Sequence, residues 1–190
     1  SSTTLGYGIE VPYYFALARN YDVLFHPMYL TKQGVLWQGD FRHRLSNGQY
    51  SVKIAGIDQI EDAAVSKDYQ DRWRGSLQTR GLFKLGSWWN AGWDITVESD
   101  DAFRRFYKLD NILQTDRVST IFLNGMHERN YMSFQLFKFG GLQIQDTPQA
   151  DSQVLPVIDH NYVFNDPVFG GELSVDTNAL SFTRDDKVPG

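Results

Sequence analysis

The feature that most constrains the fold is an alternation of apolar and polar residues on both sides of an Asn-Gly pair. From Val35 to Leu45 the sequence VLWQGDFRHRL has its mainly apolar set at every second position, which is typical of a β-strand. After Asn47 and Gly48 the apolar set moves from odd to even numbers, beginning with Tyr50. A two-residue Asn-Gly turn of type I′ predicts this change, because it places Leu45 opposite Tyr50. Turn chemistry and hydrophobic pattern therefore agree on a β-hairpin.

A second hairpin is predicted before the first. Strands are expected over Pro12–Ala18 and Tyr21–Leu30, each with apolar residues on one face. A three-residue loop over Lys32–Gly34, with its glycine in the left-handed conformation, predicts that Tyr29 faces Trp37.

The clearest alternation runs from Arg72 to Leu85 and continues over Trp89–Glu98. A three-residue turn at Gly86 places Arg80 opposite Asp94, where the two would form a cross-strand ion pair. Three further strands are predicted, the first two joined around Gly125-Met126: Arg117–Asn124, Asn130–Phe139 and Val154–Phe164. The segment Gly170–Arg184 includes the alternating run ELSVDTNALSF.

Ser99–Asp110 interrupts the alternation. Phe103, Phe106 and Tyr107 have the spacing of one helical face, which predicts a short loop helix packed on the strands. The segment over 57–71 is charged and is expected to be a long connection.

Eight or nine hairpin-linked strands, each with one apolar and one polar face, fit a soluble sandwich or a membrane barrel. Mean hydropathy of -0.40 does not separate them, because membrane strands expose apolar side chains only at alternate positions. Two features favour the membrane. Tryptophans suited to a lipid interface lie near strand ends, at Trp37, Trp73, Trp88, Trp89 and Trp93. Basic residues suited to a watery lumen line one polar face, at Arg72, Arg74, Arg80 and Lys84.

Composition and motifs narrow the function. A net charge of -5 disfavours nucleic acid as a partner, and zero cysteines exclude disulfides and thiolate metal sites within these residues. The four histidines have no metal-ligand spacing, and there is no phosphate loop or serine-nucleophile motif, so no cofactor is expected. The opening SSTTLGYG has no initiator methionine and no signal peptide, which suggests a piece of a longer protein.

Several segments carry a resemblance to a known family. VPYYFALARNYDVLFHPMYLTKQGVLWQGDFRHRL resembles the start of the barrel of the LptD family, the outer-membrane lipopolysaccharide assembly proteins. Further segments are similar to the same family in the same order: WWNAGWDITVESDDAFRRFYKLD, STIFLNGMHERNYMSFQLF, LPVIDHNYVF and GGELSVDTNALSFTRDD. Arg19 departs from the pattern, since many members have a proline there.

The resemblance implies an all-β fold in which residues 1–190 are the N-terminal, antiparallel strands of a large β-barrel in the outer membrane of a Gram-negative bacterium. It implies transport of lipopolysaccharide to the outer leaflet through a lateral opening, and no enzymatic activity. The implied partners are lipopolysaccharide, outer-membrane lipid, periplasmic bridge proteins and an LptE-like plug lipoprotein.

Pro12 and Pro27 match the two prolines of the family's lateral gate. Proline has no N–H group, so each would remove a ladder hydrogen bond from a strand near the seam. The basic residues Arg72, Arg74, Arg80 and Lys84 are candidate contacts for lipopolysaccharide phosphates, although an ion pair between Arg80 and Asp94 would need no ligand. Two other functions stay open from the residues alone: a barrel enzyme acting on lipids, and a soluble β-sandwich binding module.

Overall fold

The computed structural model is a single antiparallel sheet, which confirms the all-β fold class. It describes residues 5–59, 73–100, 103–109, 116–141, 152–166 and 168–184. The elements are β1 (Gly8–Glu10), β2 (Tyr13–Phe15), β3 (Tyr21–Phe25), β4 (Met28–Leu30), β5 (Gly34–Leu45), β6 (Gly48–Asp58), β7 (Trp73–Leu85), β8 (Trp89–Glu98), α1 (Phe103–Phe106), β9 (Asp116–His127), β10 (Asn130–Gly141), β11 (Ser152–Val163) and β12 (Ser174–Arg184).

The strands follow one another across the sheet almost in chain order. β1 pairs with β4 and β2 with β3, and both β3 and β4 pair with β5; from there each strand pairs with the next, through to β12. The described sheet therefore has one edge at β1 and β2 and the other at β12. It contains more strands than the sequence predicts, partly because the predicted strand Tyr21–Leu30 is divided into β3 and β4, and because β1 was not predicted.

The hairpin of β5 and β6 forms, but the predicted register is wrong by two residues. Leu45 faces Gly48, and Tyr50 faces His43 instead of Leu45. The turn consists of Ser46 and Asn47, and neither residue has a positive φ, so the turn is not type I′.

Gly48 has a different role from the one the turn motif suggested. A Cβ atom at Gly48 would lie 2.4 Å from the backbone oxygen of Leu82, on the neighbouring strand β7. The glycine therefore allows close approach of β7, and the turn moves one residue earlier. A shift of two residues leaves every side chain on its predicted face, so the alternation was still correctly interpreted.

Of the other predicted turns, one has the predicted register and two are displaced. Tyr29 faces Val35 instead of Trp37, again a displacement by two residues, although Gly34 does have a positive φ of 99°. Arg80 faces Asp94, as predicted. The turn between β9 and β10 lies at Glu128 and Arg129, not at Gly125-Met126.

The two faces of the sheet are the reverse of those in a soluble protein. The apolar face carries exposed aliphatic side chains at the centre of the sheet: Ile54 (56% exposed), Leu77 (43%) and Val97 (58%). The polar face carries the buried residues, because the segment around α1 packs on it at the end of the sheet where Leu36 and Ile57 pair.

The small core lies on this polar face. Phe103 and Tyr107 pack against Leu36 and Ile57, and the cluster also includes Leu30 and Leu109. The predicted loop helix is thus confirmed, as one short helix. Among the described residues, no helix has the length and apolar composition needed to cross a membrane.

Candidate functional site

The candidate site is a break in the strands at the edge of the sheet. In one ladder Glu10 faces Met28, and in the next Tyr13 faces Phe25, so both ladders share one register. Regular pairing stops between them, where the register places Val11 opposite Pro27 and Pro12 opposite His26. We call these four residues, Val11, Pro12, His26 and Pro27, the edge break.

The two prolines remove donors that point in opposite directions. The N–H group of Val11 donates to the oxygen of Pro27 at 3.1 Å, so the backbone groups of both residues face each other. An N–H group at Pro27 would return this bond to Val11, but proline has none. Backbone groups alternate in direction along a strand, so the nitrogen of Pro12 points away from β4. Pro12 therefore removes a donor from the free edge, and Pro27 removes one from inside the sheet.

The inner side of the edge break is held by β5. The N–H group of His26 donates to the oxygen of Gln38 at 3.0 Å, and the side chain of Gln38 donates to the oxygen of His26 at 3.2 Å. Gln38 is 7% exposed. The weak side of the break is thus the contact with β1 and β2, because these edge strands are short and exposed.

Charged side chains cross the break on the polar face. Nδ1 of His26 lies 2.6 Å from Oε1 of Glu10, on β1, and Nε2 lies 3.6 Å from Oδ1 of Asp40, on β5. A pocket of about 210 Å³ adjoins these groups, and Lys53 and Arg104 also line it. Its walls combine cationic and anionic side chains, which suits a polar ligand better than an acyl chain.

A buried ion pair holds the α1 segment against the sheet. Arg74 on β7 donates two hydrogen bonds to the carboxylate of Asp100, at 2.7 and 2.8 Å, and the two side chains are 2% and 6% exposed. The guanidinium also lies 5.3 to 5.7 Å from the ring centroids of Phe103, Phe106 and Tyr107. Burial raises the pKa of the Tyr107 phenol, and the hydrogen bond that the phenol accepts from Gln59 partly opposes this shift.

The predicted basic residues do not form one cluster. Arg74 is buried with Asp100, whereas the exposed Arg80 pairs with Asp94 at 2.8 Å across two strands. Lys84 is exposed near the turn after β7, and Arg72 lies outside the described residues. The chain pattern placed these residues on one face, but only the packing of α1 separates the buried arginine from the exposed one.

The apolar face bears aromatic side chains at both ends of the strands. Trp37 and Trp73 are 51% and 68% exposed at the end where α1 lies, and Trp89 is 36% exposed at the opposite end. Trp88, 51% exposed, lies in the turn next to Trp89. Two aromatic belts with an aliphatic band between them are the arrangement of a strand that crosses a lipid bilayer.

Sequence reasoning singled out Pro12 and Pro27 but not the groups around them. The histidines were considered for metal-ligand spacing, and nothing in that spacing connected His26 with Glu10 or Asp40. The signal that could have found the cluster is the register between the first two strands, since Glu10 and His26 become diagonal neighbours once those strands pair. Among the described residues, no group of three or more histidine, aspartate or glutamate side chains is arranged to hold a metal ion.

Comparisons with known proteins agree on one family. The family model LptD, LPS transport system D, matches residues 72–189. The LPS-assembly protein LptD of Bordetella pertussis is 32% identical over 156 residues, which are 79% of this chain and 18% of that protein. The LPS-assembly protein LptD of Ectopseudomonas mendocina is 36% identical over 123 residues, or 64% of this chain and 13% of that protein. The LPS-assembly protein LptD of Pseudomonas aeruginosa strain LESB58 is 35% identical over 127 residues, which are 65% of this chain and 13% of that protein. The chain thus spans less than a fifth of the length of these relatives.

Proposed function

Because this chain belongs to the LptD family, we propose that it supplies barrel strands to an outer-membrane protein of a Gram-negative bacterium that transports lipopolysaccharide to the outer leaflet. Residues 1–190 would form one partial barrel domain, with further strands completing the barrel. The edge formed by β1 and β2 would be one side of a seam that opens laterally, with Pro12 and Pro27 as gate residues. The role is transport, without a catalysed reaction.

The observation that carries the proposal is the edge break. An unpaired polar backbone group in hydrocarbon costs several kcal/mol, so a closed barrel seam normally keeps its ladder complete. Here both prolines remove donors at one level of the sheet: the donor missing at Pro27 would face Val11, and the donor missing at Pro12 would face the free edge. With a donor missing on each side, the edge separates at lower cost both from the closing strand and from β4, which is the property a lateral opening requires.

The two faces of the sheet support the same role. The exposed apolar face with its aromatic belts suits lipid, and the polar face suits a lumen that admits sugars and phosphates. Within that lumen we propose the exposed Arg80 and Lys84 as phosphate contacts, with Arg72 added from outside the described residues. Arg74, buried in its pair with Asp100, would act there by holding the α1 segment in the lumen. The partners of this role are lipopolysaccharide, outer-membrane lipid, periplasmic bridge proteins and an LptE-like plug lipoprotein.

Site-specific photocrosslinking in cells tests the gate. A photoreactive residue at position 12 or 27 of the full-length protein is expected to capture both lipopolysaccharide and the strand that closes the barrel. Position 54, in the middle of the apolar face, is the control, because it faces lipid far from the edge. If the correctly inserted protein gave no adducts from positions 12 and 27, the gate assignment would be withdrawn.

A further inference from the structure

His26 lies between two carboxylates that belong to strands on opposite sides of it. Its Nδ1 atom is 2.6 Å from Glu10 on the edge strand β1, which is hydrogen-bonding distance. Its Nε2 atom is 3.6 Å from Asp40 on β5, which is too long for a hydrogen bond. Nε2 is buried and has no hydrogen-bond partner within the described part of the chain.

We propose that His26 is a switch residue of the sheet edge, which exchanges Glu10 for Asp40 when β1 separates from β4. The inference rests on the proposed lateral opening and specifies what stabilises its two states. With β1 in place, His26 is bonded to Glu10. When β1 moves away it takes Glu10 with it. The imidazole then gives its Nδ1 proton to water and takes one up at Nε2, and a sub-ångström movement brings Nε2–H within hydrogen-bonding distance of Asp40.

The exchange lowers the cost of opening. A partly buried imidazole that loses its carboxylate without replacement bears the desolvation cost of an unpaired polar group. Asp40 removes most of that cost, because β5 is held in the sheet by β6 and stays where it is when the edge moves. Glu10 therefore stabilises the paired edge, and Asp40 stabilises the separated edge.

The positively charged side chains nearby are consistent with these separate roles of Glu10 and Asp40. Lys53 on β6 is directly opposite Asp40, and Arg104 and Lys108, from α1 and the turn after it, line the same pocket. These cations come from elements that do not move with β1, so the positive charge near Asp40 stays in place when the edge moves. The other acidic group at the break is Glu10 itself.

The competing explanation is that both carboxylates simply hold His26 in the paired sheet. The two explanations predict opposite effects of removing Asp40 on the stability of the edge. If both carboxylates only held His26 in the paired sheet, removing either one would loosen the edge. If His26 is a switch, removing Glu10 loosens the edge, whereas removing Asp40 tightens it, because His26 then has no alternative partner. General destabilisation by mutation cannot produce opposite signs.

The test is amide hydrogen exchange, read from the peptides that cover β1 and β4 in the full-length protein in detergent. Glu10→Gln is expected to raise exchange there about fivefold, the effect of one charge-assisted hydrogen bond at a partly exposed site. Asp40→Asn is expected to lower exchange about threefold, since it removes the weaker, longer contact. Asp22→Asn is the matched control, because it breaks the Arg42–Asp22 ion pair between β3 and β5 without touching the edge break.

Opposite signs for Glu10→Gln and Asp40→Asn, with exchange unchanged in Asp22→Asn, support the switch. Any other pattern overturns it, including equal signs or no response to either variant. The photocrosslinking test of the gate is independent of this result. Missing adducts from positions 12 and 27 would remove the proposed gate, whereas equal signs in hydrogen exchange would remove only the role of His26.

Discussion

At the scale of the residue, ion pairs that look alike in the sequence contribute very differently to the stability of the fold. Arg74 and Arg80 are both on the polar side of β7, and each finds a carboxylate. The pair of Arg74 with Asp100 is nearly inaccessible to solvent, whereas the side chains of Arg80 and Asp94 are 62% and 42% exposed. Removing one member of a buried pair leaves an uncompensated charge, whereas an exposed pair contributes little.

Replacing Arg74 is therefore expected to release the α1 segment. Arg74→Leu should destabilise its docking by about 3 kcal/mol, because Asp100 would stay buried without its two hydrogen bonds. Trypsin cleavage of the full-length protein between Arg104 and Arg105 measures the release, and it should accelerate by roughly a hundredfold. Arg80→Leu is the control and should leave cleavage at this site unchanged. An Arg74→Leu protein that resists trypsin as well as wild type would show that the aromatic contacts alone hold the segment.

At the scale of the element, the two prolines have separable effects because their missing donors point in opposite directions. Pro27 lacks the donor that would face Val11, inside the pair of β1 and β4. Pro12 lacks one at the free edge, where it could affect only a strand that is added there. The sequence treated both prolines alike, since the direction of a backbone group depends on which partner each strand has.

Pro27→Ala is expected to restore a hydrogen bond worth about 1 kcal/mol, and so to slow amide exchange in β1 and β4 about fivefold. Pro12→Ala should leave that exchange unchanged and strengthen only the contact with the closing strand. Each substitution should slow lipopolysaccharide export, and the double variant should slow it most. Normal export in the double variant, measured as the rate at which new lipopolysaccharide reaches the cell surface, would argue against a gate at these positions.

At the scale of the whole molecule, the sheet places its exposed aliphatic residues on one face and its buried and charged residues on the other. This arrangement is stable in a bilayer, because lipid covers the apolar face and the strand ladders outside the edge break pair the backbone groups. It is unfavourable in water, where a continuous exposed apolar surface promotes association. The soluble sandwich considered from the sequence would need a second sheet to cover this face, and the described strands form only one sheet.

A charge at the centre of the apolar face should therefore impair insertion. Leu77→Lys is expected to cost about 2 to 4 kcal/mol, the range for a lysine at the bilayer midplane. Thr96→Lys is the control, since it adds the same charge on the polar face, between Asp94 and Glu98. The folded fraction in outer membranes, read from heat-modifiable migration of the full-length protein, should fall in the first variant only. Equal losses in both variants would mean that the apolar face does not contact lipid.

The sequence by itself determined most of the strands, their faces and the loop helix around Phe103. These features depend on local periodicity, and each side chain reports its face independently of the distant partners of the strand. The resemblance to the family depends on the same local segments and does not require the strand pairing.

Only the tertiary structure decided the registers and the contacts across the polar face. The Asn-Gly turn was displaced because Gly48 is needed for the approach of β7, a strand distant in sequence. Strand pairing places His26 beside Glu10 and Asp40. The docking of α1 buries Arg74 with Asp100. In both cases the residues brought together share no local sequence pattern. The register of a strand and the burial of a side chain depend on the strands and segments that pack against them. Those neighbours are selected by the packing of the whole sheet and not by the local sequence.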